Sequence, residues 1–241
     1  MIIKNIEDKI SSCYLNGTVQ YTDFMTMEEI ASAEVMLCNS GLIYHFWGGY
    51  ELAERKMLML SVDDTPAQYP FTVLSGTWDR FFEISHRDVL GAVMACGIER
   101  KCIGDILLDT ANRKFYLFVV SHMVDYVINN VSQIGKCSVV WDVVNDPTAL
   151  PEKSAMIIKI SVSSLRIDAV IAAAFHLSRQ KAQEAITGKK VYINHMLVNK
   201  VTQNIQVGDT VVLRGNGKII FSEKCGFSKK GKLYILIKQY I

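Results

Sequence analysis

No run of eighteen apolar residues occurs in this chain, so no segment is expected to cross a membrane as a helix. The N-terminus lacks the apolar stretch of a secretion signal and carries Lys4, Glu7, Asp8 and Lys9 instead, which points to a cytoplasmic protein. No C-x-x-C pair is present: Cys13, Cys38, Cys96, Cys102, Cys137 and Cys225 lie far apart, so zinc sites and redox pairs are not expected. The histidines (His45, His86, His122, His176, His195) show no ligand spacing, and neither metal nor other cofactor is expected. Internal repeats and low-complexity tracts are lacking too. What remains is a globular composition, 50% hydrophobic and 21% charged, with enough apolar material for a core.

The net charge of +2 conceals a division. Residues 163–241 hold thirteen Lys/Arg against four Asp/Glu, a net of +9, and the remaining 162 residues hold thirteen against twenty, a net of −7. A basic module attached to an acidic body implies a polyanionic partner for the first and leaves a protein partner open for the second. Charge by itself does not choose among RNA, DNA and anionic lipid.

Up to about residue 65 the chain reads as a small α+β domain. Thr26 and Glu29 stand at capping-box spacing before an apolar helical pattern through Ile30, Ala33 and Leu37, which Asn39-Ser40-Gly41 ends. Strands are expected over 42–47 and 57–62, with a turn at Gly48-Gly49; Arg55 and Lys56 read as a solvated pair. Asp63-Asp64-Thr65-Pro66 marks a boundary. A second domain, 66–160, shows the order β-α-β-β-α-β: strand 71–75, helix 86–96, strands 105–109 and 114–120, helix 122–134 stopped by Gly135, strand 137–144. This is the split βαβ, ferredoxin-like pattern that RNA-recognition motifs share. Phe115, Tyr116 and Phe118 fall on the third strand, where bases stack in such a motif, but the basic glycine-containing run of that motif is missing. Asn145-Asp146-Pro147-Thr148 and Pro151 form a connecting loop, and 156–160 reads as a further strand of this domain.

The third domain, 161–241, carries the basic charge. Ile167, Val170, Ile171 and Ala174 follow the i, i+3, i+4, i+7 rule of an amphipathic helix. Ser178 is a suitable N-cap for a second helix with Leu177 and Ala182 as its staple, Ala182, Ala185 and Ile186 as its buried stripe and Gly188 at its end. A β-rich run, Val191-Tyr192-Ile193, follows, then a turn at Gly208-Asp209 and a strand over 210–214. Arg179 and Lys181 sit in the first turn of the second helix, where the macrodipole disfavours cations by about 0.3–1 kcal/mol each. An anion docked at that helix start would offset the penalty, and phosphate suits the site.

These residues resemble the S4 RNA-binding domain. The similar segments are Leu165-Arg166-Ile167-Asp168, Leu177-Ser178-Arg179-Gln180-Lys181-Ala182, Gly188 with Val191-Tyr192-Ile193-Asn194, then Val198, Lys200, Val207-Gly208-Asp209 and Val212-Leu213-Arg214-Gly215; His195 departs from the glycine often found there. The resemblance implies an αL fold in which two helices and a hairpin loop form one basic surface. Carried over, it nominates Arg166, Arg179, Lys181, Lys189, Lys190, Asn194, Lys200 and Arg214 for RNA binding. The Lys and Arg side chains would hold phosphates, with Asn194 supporting its turn and Asp168 holding a nearby Arg or backbone amide. Lys218, Lys224, Lys229, Lys230 and Lys232 would extend the positive field.

The whole chain is similar to the YlmH-like family of bacterial S4 proteins. The further segments are Phe46-Trp47-Gly48-Gly49-Tyr50 with Ala53-Glu54-Arg55, His86-Arg87-Asp88-Val89-Leu90-Gly91, Ile98-Glu99-Arg100 with Ile103-Gly104-Asp105-Ile106, and Arg214-Gly215-Asn216-Gly217-Lys218. That likeness implies a ribosome-associated protein that binds rRNA or tRNA on the large ribosomal subunit in translation quality control. Catalysis is not expected. His86-Arg87-Asp88 matches a kinase catalytic loop only until Val93, where that loop needs Asn, and Gly215-Asn216-Gly217 is no dinucleotide loop. The alternative is an RNA-modifying or tRNA-processing enzyme with its site around Arg55, His86 and Asp88.

Overall fold

The computed structural model describes residues 2–64, 66, 68–146, 150–151, 156–194, 196–228 and 231–240, with backbone alone at 2 and 3. Of the sequence features above, Thr65, Pro147, Thr148, His195, Lys229 and Lys230 lie outside these residues. Two compact units are found, 1–151 and 152–241.

The first unit opens with α1 (Ile2–Asn16), β1 (Gln20–Tyr21), α2 (Met27–Leu37), β2 (Ile43–Trp47) and β3 (Met57–Ser61). Helix α1 adds to the sequence expectation; its Ile6 and Cys13 are buried in the same cluster as Ile30, Ala33 and Leu37 of α2, with Ile10 packed against it. The capping box is formed: Thr26 Oγ1 accepts from Glu29 N–H, and the Glu29 carboxylate accepts from Thr26 N–H at 2.6 Å. Strand β3 lies between β1 and β2 in an antiparallel sheet, and all five of its residues are buried.

β4 (Phe71–Trp78), α3 (His86–Ala95), β5 (Ile103–Asp109), β6 (Lys114–Val120), α4 (Val124–Asn130), β7 (Gln133–Ile134) and β8 (Cys137–Val144) complete this unit. The antiparallel sheet runs β5-β6-β4-β8-β7. Its elements follow the βαββαβ order, with one correction. The helix expected over 122–134 stops at Asn130, and Gln133–Ile134 pairs back onto Cys137–Ser138. Gly135, at φ +61°, supplies the left-handed residue which such a tight hairpin needs. The rings of the third strand serve the core rather than a base platform: Phe115, Tyr116 and Phe118 are all buried, with Phe115 packed between Trp78 and Trp141.

Arg55 and Lys56 are not the solvated pair expected. Both are half-buried. The Arg55 guanidinium donates to three carbonyls, Ile103 at 2.9 Å, Phe24 at 2.8 Å and Arg100 at 3.2 Å. Asp105 answers from β5: its carboxylate accepts from the Tyr50 hydroxyl, Glu54 N–H and Arg55 N–H. Glycines let the backbones close, since a Cβ on Gly49 would lie 2.3 Å from the Phe118 ring and one on Gly104 would lie 2.7 Å from Phe24. The sequence segments around 46–55 and 98–106 are therefore two sides of one joint between the two sheets.

The second unit contains β9 (Met156–Val162), α5 (Ile167–Ala174), α6 (Arg179–Thr187), β10 (Val191–Ile193), β11 (Met196–Leu197), β12 (Thr210–Leu213), β13 (Gly217–Phe227) and β14 (Leu233–Tyr240). Its antiparallel sheet runs β11-β10-β12-β13-β14-β9. Met156–Ile160 is thus no strand of the middle domain: β9 pairs along its whole length with β14, from Val162 opposite Leu233 to Met156 opposite Gln239. An apolar run shows that a strand will form but not which distant edge it joins. The predicted stripe of α5 is buried with Ala182 and Ile186 of α6 against Val191, Val211, Ile219 and Ile235. Gln239, itself buried, donates its amide to Ala174 O and satisfies a carbonyl at the end of α5.

Candidate nucleic-acid interface

Asp168 organises the basic module. It lies in the first turn of α5, where a negative charge is favoured, and is fully buried. Five hydrogen bonds converge on its carboxylate. Arg166 donates through Nε and Nη2, each at 3.1 Å, Arg179 through Nε at 3.1 Å and Nη2 at 3.2 Å, and Gln183 through Nε2 at 3.1 Å. Two forks held by one acceptor are fixed in position while 35% and 45% of their side-chain surfaces stay exposed. The cluster carries two positive charges and one negative.

This arrangement changes the reading of the head of α6. Ser178 caps the helix as expected, its Oγ accepting from Lys181 N–H at 3.2 Å. The anion that offsets Arg179 there, however, is the protein's own Asp168. A second guanidinium donor, Arg179 Nη1, reaches Ser163 Oγ at 3.4 Å. Lys181 is exposed and stands about 160° round the helix from Arg179, so the two flank the buried stripe on opposite sides.

The other nominated residues fall in three places. Lys189 and Lys190 follow α6, both exposed, with the left-handed position taken by Lys189 (φ +56°) rather than by Gly188. Arg214 joins them: its N–H donates to Lys190 O at 2.9 Å, and its guanidinium lies 4.9 Å from the centre of the Tyr192 ring. Lys200 begins a turn whose Gln203 carbonyl accepts from Ile167 N–H at 2.7 Å, which sets it beside the start of α5. Asn194 supports its hairpin, as expected. At φ +47°, it donates to the Asp209 carboxylate at 2.7 Å and accepts from Thr210 N–H at 2.9 Å. Gln183 was not foreseen, although its place one turn beyond Arg179 on the same helix face was visible in the sequence.

Arg55, His86 and Asp88, nominated for the enzyme alternative, do not form a comparable cluster. Asp88 caps α3 together with Ser85, whose hydroxyl and backbone N–H both bond to its carboxylate and hold its pKa below the usual range. Arg55 is engaged by the carbonyls of the joint. Arg100 beside it is pulled down to about 10, by burial first and then by the Arg55 charge. Among the described residues no group of three or more His, Cys, Asp or Glu could hold a metal ion, and no helix is long and apolar enough to cross a membrane.

Asp168 also links the module to acid. Burial alone would raise its carboxyl, but the hydrogen bonds from Arg166, Gln183 and Arg179 outweigh that and bring it to about 2. Because the folded value lies below the unfolded value of about 3.9, the ionised clamp stabilises the fold fully above pH ~4. That contribution, up to about 2 kcal/mol, is lost as pH falls from about 4 to about 2. Acid titration of stability should show this loss in the wild type and a shallower one in Asp168→Asn; equal slopes would contradict the assignment.

Sheet, helix pair and clamp define a two-unit α+β protein with a cation-bearing module at its C-terminal end. A family model described as "Putative RNA-binding domain in YlmH" matches residues 74–146, and one described as "Mitochondrial transcription rescue factor 1, C-terminal domain" matches residues 158–218. Ribosome-associated protein quality control protein P2 of Bacillus subtilis (strain 168) is 32% identical over 221 residues, covering 89% of this chain and 84% of that protein. The cell division protein ylmH from Streptococcus pneumoniae superimposes with a TM-score of 0.54 at 15% identity, over 62% of this chain and 93% of that one, a likeness of fold. The chain belongs to the YlmH family.

Proposed function

We propose that this protein is a non-catalytic, cytoplasmic binder of structured RNA, and that its C-terminal unit is an S4-type module. The target is rRNA or tRNA on the large ribosomal subunit, in translation quality control. Arg166, Arg179, Lys181, Lys189, Lys190, Lys200 and Arg214 hold phosphates, with Asn194 shaping the hairpin. The acidic residues of the first unit are left for a protein partner. The observation that carries the reading is the Asp168 clamp: two arginine forks pre-set on a buried carboxylate and still partly exposed, in a segment of net charge +9. Fixing the guanidiniums before binding lowers the entropy lost when a phosphate arrives. The 32% identical relative, named as ribosome-associated and acting in protein quality control, supports the setting.

If about six phosphates are neutralised, log K should fall against log salt with a slope of roughly −4 to −5. Filter binding of a tRNA transcript at several salt concentrations measures it. Charge reversal at Lys181 and Lys189 should weaken binding more than reversal at Lys224 and Lys232. Salt-independent binding, or equal losses in the two pairs, would sink the proposed surface.

A further inference from the structure

The turn between β4 and α3 presents two adjacent phenylalanine rings to solvent, and Phe81 is the most exposed aromatic side chain among the described residues of its unit. Phe81 is 74% exposed and Phe82 is 41% exposed. Both are held by a set backbone. Asp79 accepts from Phe81 N–H through its carboxylate and from Phe82 N–H through its carbonyl, and the buried Trp78 donates its indole N–H to Phe82 O at 3.1 Å. Arg80 lies with its guanidinium carbon 4.9 Å from the centre of the Phe81 ring. Beside the rings is a cleft of about 460 Å³ lined by Trp78, Arg80, Phe82, Glu83, Thr110 and Arg113. Neither Arg80 nor Arg113 is within ion-pair distance of a carboxylate among the described residues.

We propose that this turn and cleft are a second RNA contact, which takes one unpaired nucleotide, stacking its base on Phe81 and Phe82 and holding its phosphate between Arg80 and Arg113. The inference rests on the RNA-binding reading above and places the contact of the first unit at the end of its sheet, since the aromatic residues of β6 are buried. Ring faces accept any base, and guanidiniums supply both stacking and charge, which is the chemistry of unpaired nucleic acid recognition. The cleft is of a size for a small ligand. Glu83 is of the wrong sign for a phosphate, but it is the one carboxylate in the cleft lining, where it faces two arginines; Asp79 keeps its charge outside that lining, with its carboxylate accepting from Phe81 N–H.

The test uses the full chain and two probes: a single-stranded oligouridine of about twelve nucleotides and a folded tRNA transcript. Phe81→Ala should weaken oligouridine binding by roughly fivefold or more and leave tRNA affinity nearly unchanged. Arg80→Gln, which removes no apolar contact from the fold, should act in the same direction. Ultraviolet crosslinking of oligouridine to the wild type should map to Phe81 or Phe82. Unchanged oligouridine affinity in both variants, with salt-dependent tRNA binding intact, overturns this inference alone. Absence of binding to either probe by the wild type overturns it together with the RNA-binding reading. Unchanged RNA affinity combined with lost ribosome co-sedimentation overturns it by assigning the rings to a protein partner.

Discussion

Asp168→Ala is expected to lower the stability of the C-terminal unit by about 3 kcal/mol, the low end of the range for breaking a buried ion pair. The low end applies because the stranded guanidiniums of Arg166 and Arg179 are partly exposed and can recover water. In a unit of this size the midpoint of thermal unfolding should drop by more than about 10 °C. Asp168→Asn keeps the shape and one acceptor oxygen and should cost less. Gln183→Ala removes a single hydrogen bond to a charged acceptor and should cost about 1.5–3 kcal/mol. RNA affinity of Asp168→Asn, measured at a temperature where it is folded, should fall although the protein has become more positive. A rise in affinity would show that net charge, and not the pre-set position of the forks, governs binding.

Asp105→Ala should have the next largest effect, in the other unit. Its carboxylate satisfies Glu54 N–H, Arg55 N–H and the Tyr50 hydroxyl together, and each donor left unpaired at a partly buried joint costs about 1–3 kcal/mol. Water reaches some of this joint, so about 3 kcal/mol in total is expected. A second readout separates the cause from a general loosening. Tyr50 is held well above the usual phenol range, by burial first and then by the Asp105 charge and hydrogen bond. Asp105→Asn should therefore bring the Tyr50 ionisation down in a spectrophotometric titration while the ring stays packed against Phe118. An unmoved titration together with unmoved melting would refute the role given to Asp105.

Both carboxylates stood inside segments that the sequence singled out, yet their duties were legible to different degrees. Asp168 was assigned to an arginine or a backbone amide because its sign is wrong for phosphate; the structure gives it two arginines and a glutamine. Asp105 had no assigned role, and its neighbours Arg55 and Lys56 were read as solvated. The carbonyls that the Arg55 side chain reaches belong to Phe24, Ile103 and Arg100, which no local pattern connects to residue 55. Strand alternation and the missing basic run favour core packing for at least one of Phe115, Tyr116 and Phe118; the structure buries all three, because both faces of β6 are covered.

Residue order by itself determined the capping box of Thr26 and Glu29, the helix stripes, the βαββαβ succession and the concentration of positive charge after residue 162. Each of these depends on neighbours a few positions apart or on a simple count of charges. Tertiary structure decided which edge β9 joins, where the helix after Ser121 gives way to a hairpin, and that the chain's own Asp168 is the anion at the head of α6. Those outcomes depend on contacts between residues far apart in the chain, where burial and a single available acceptor, rather than local periodicity, select the partner.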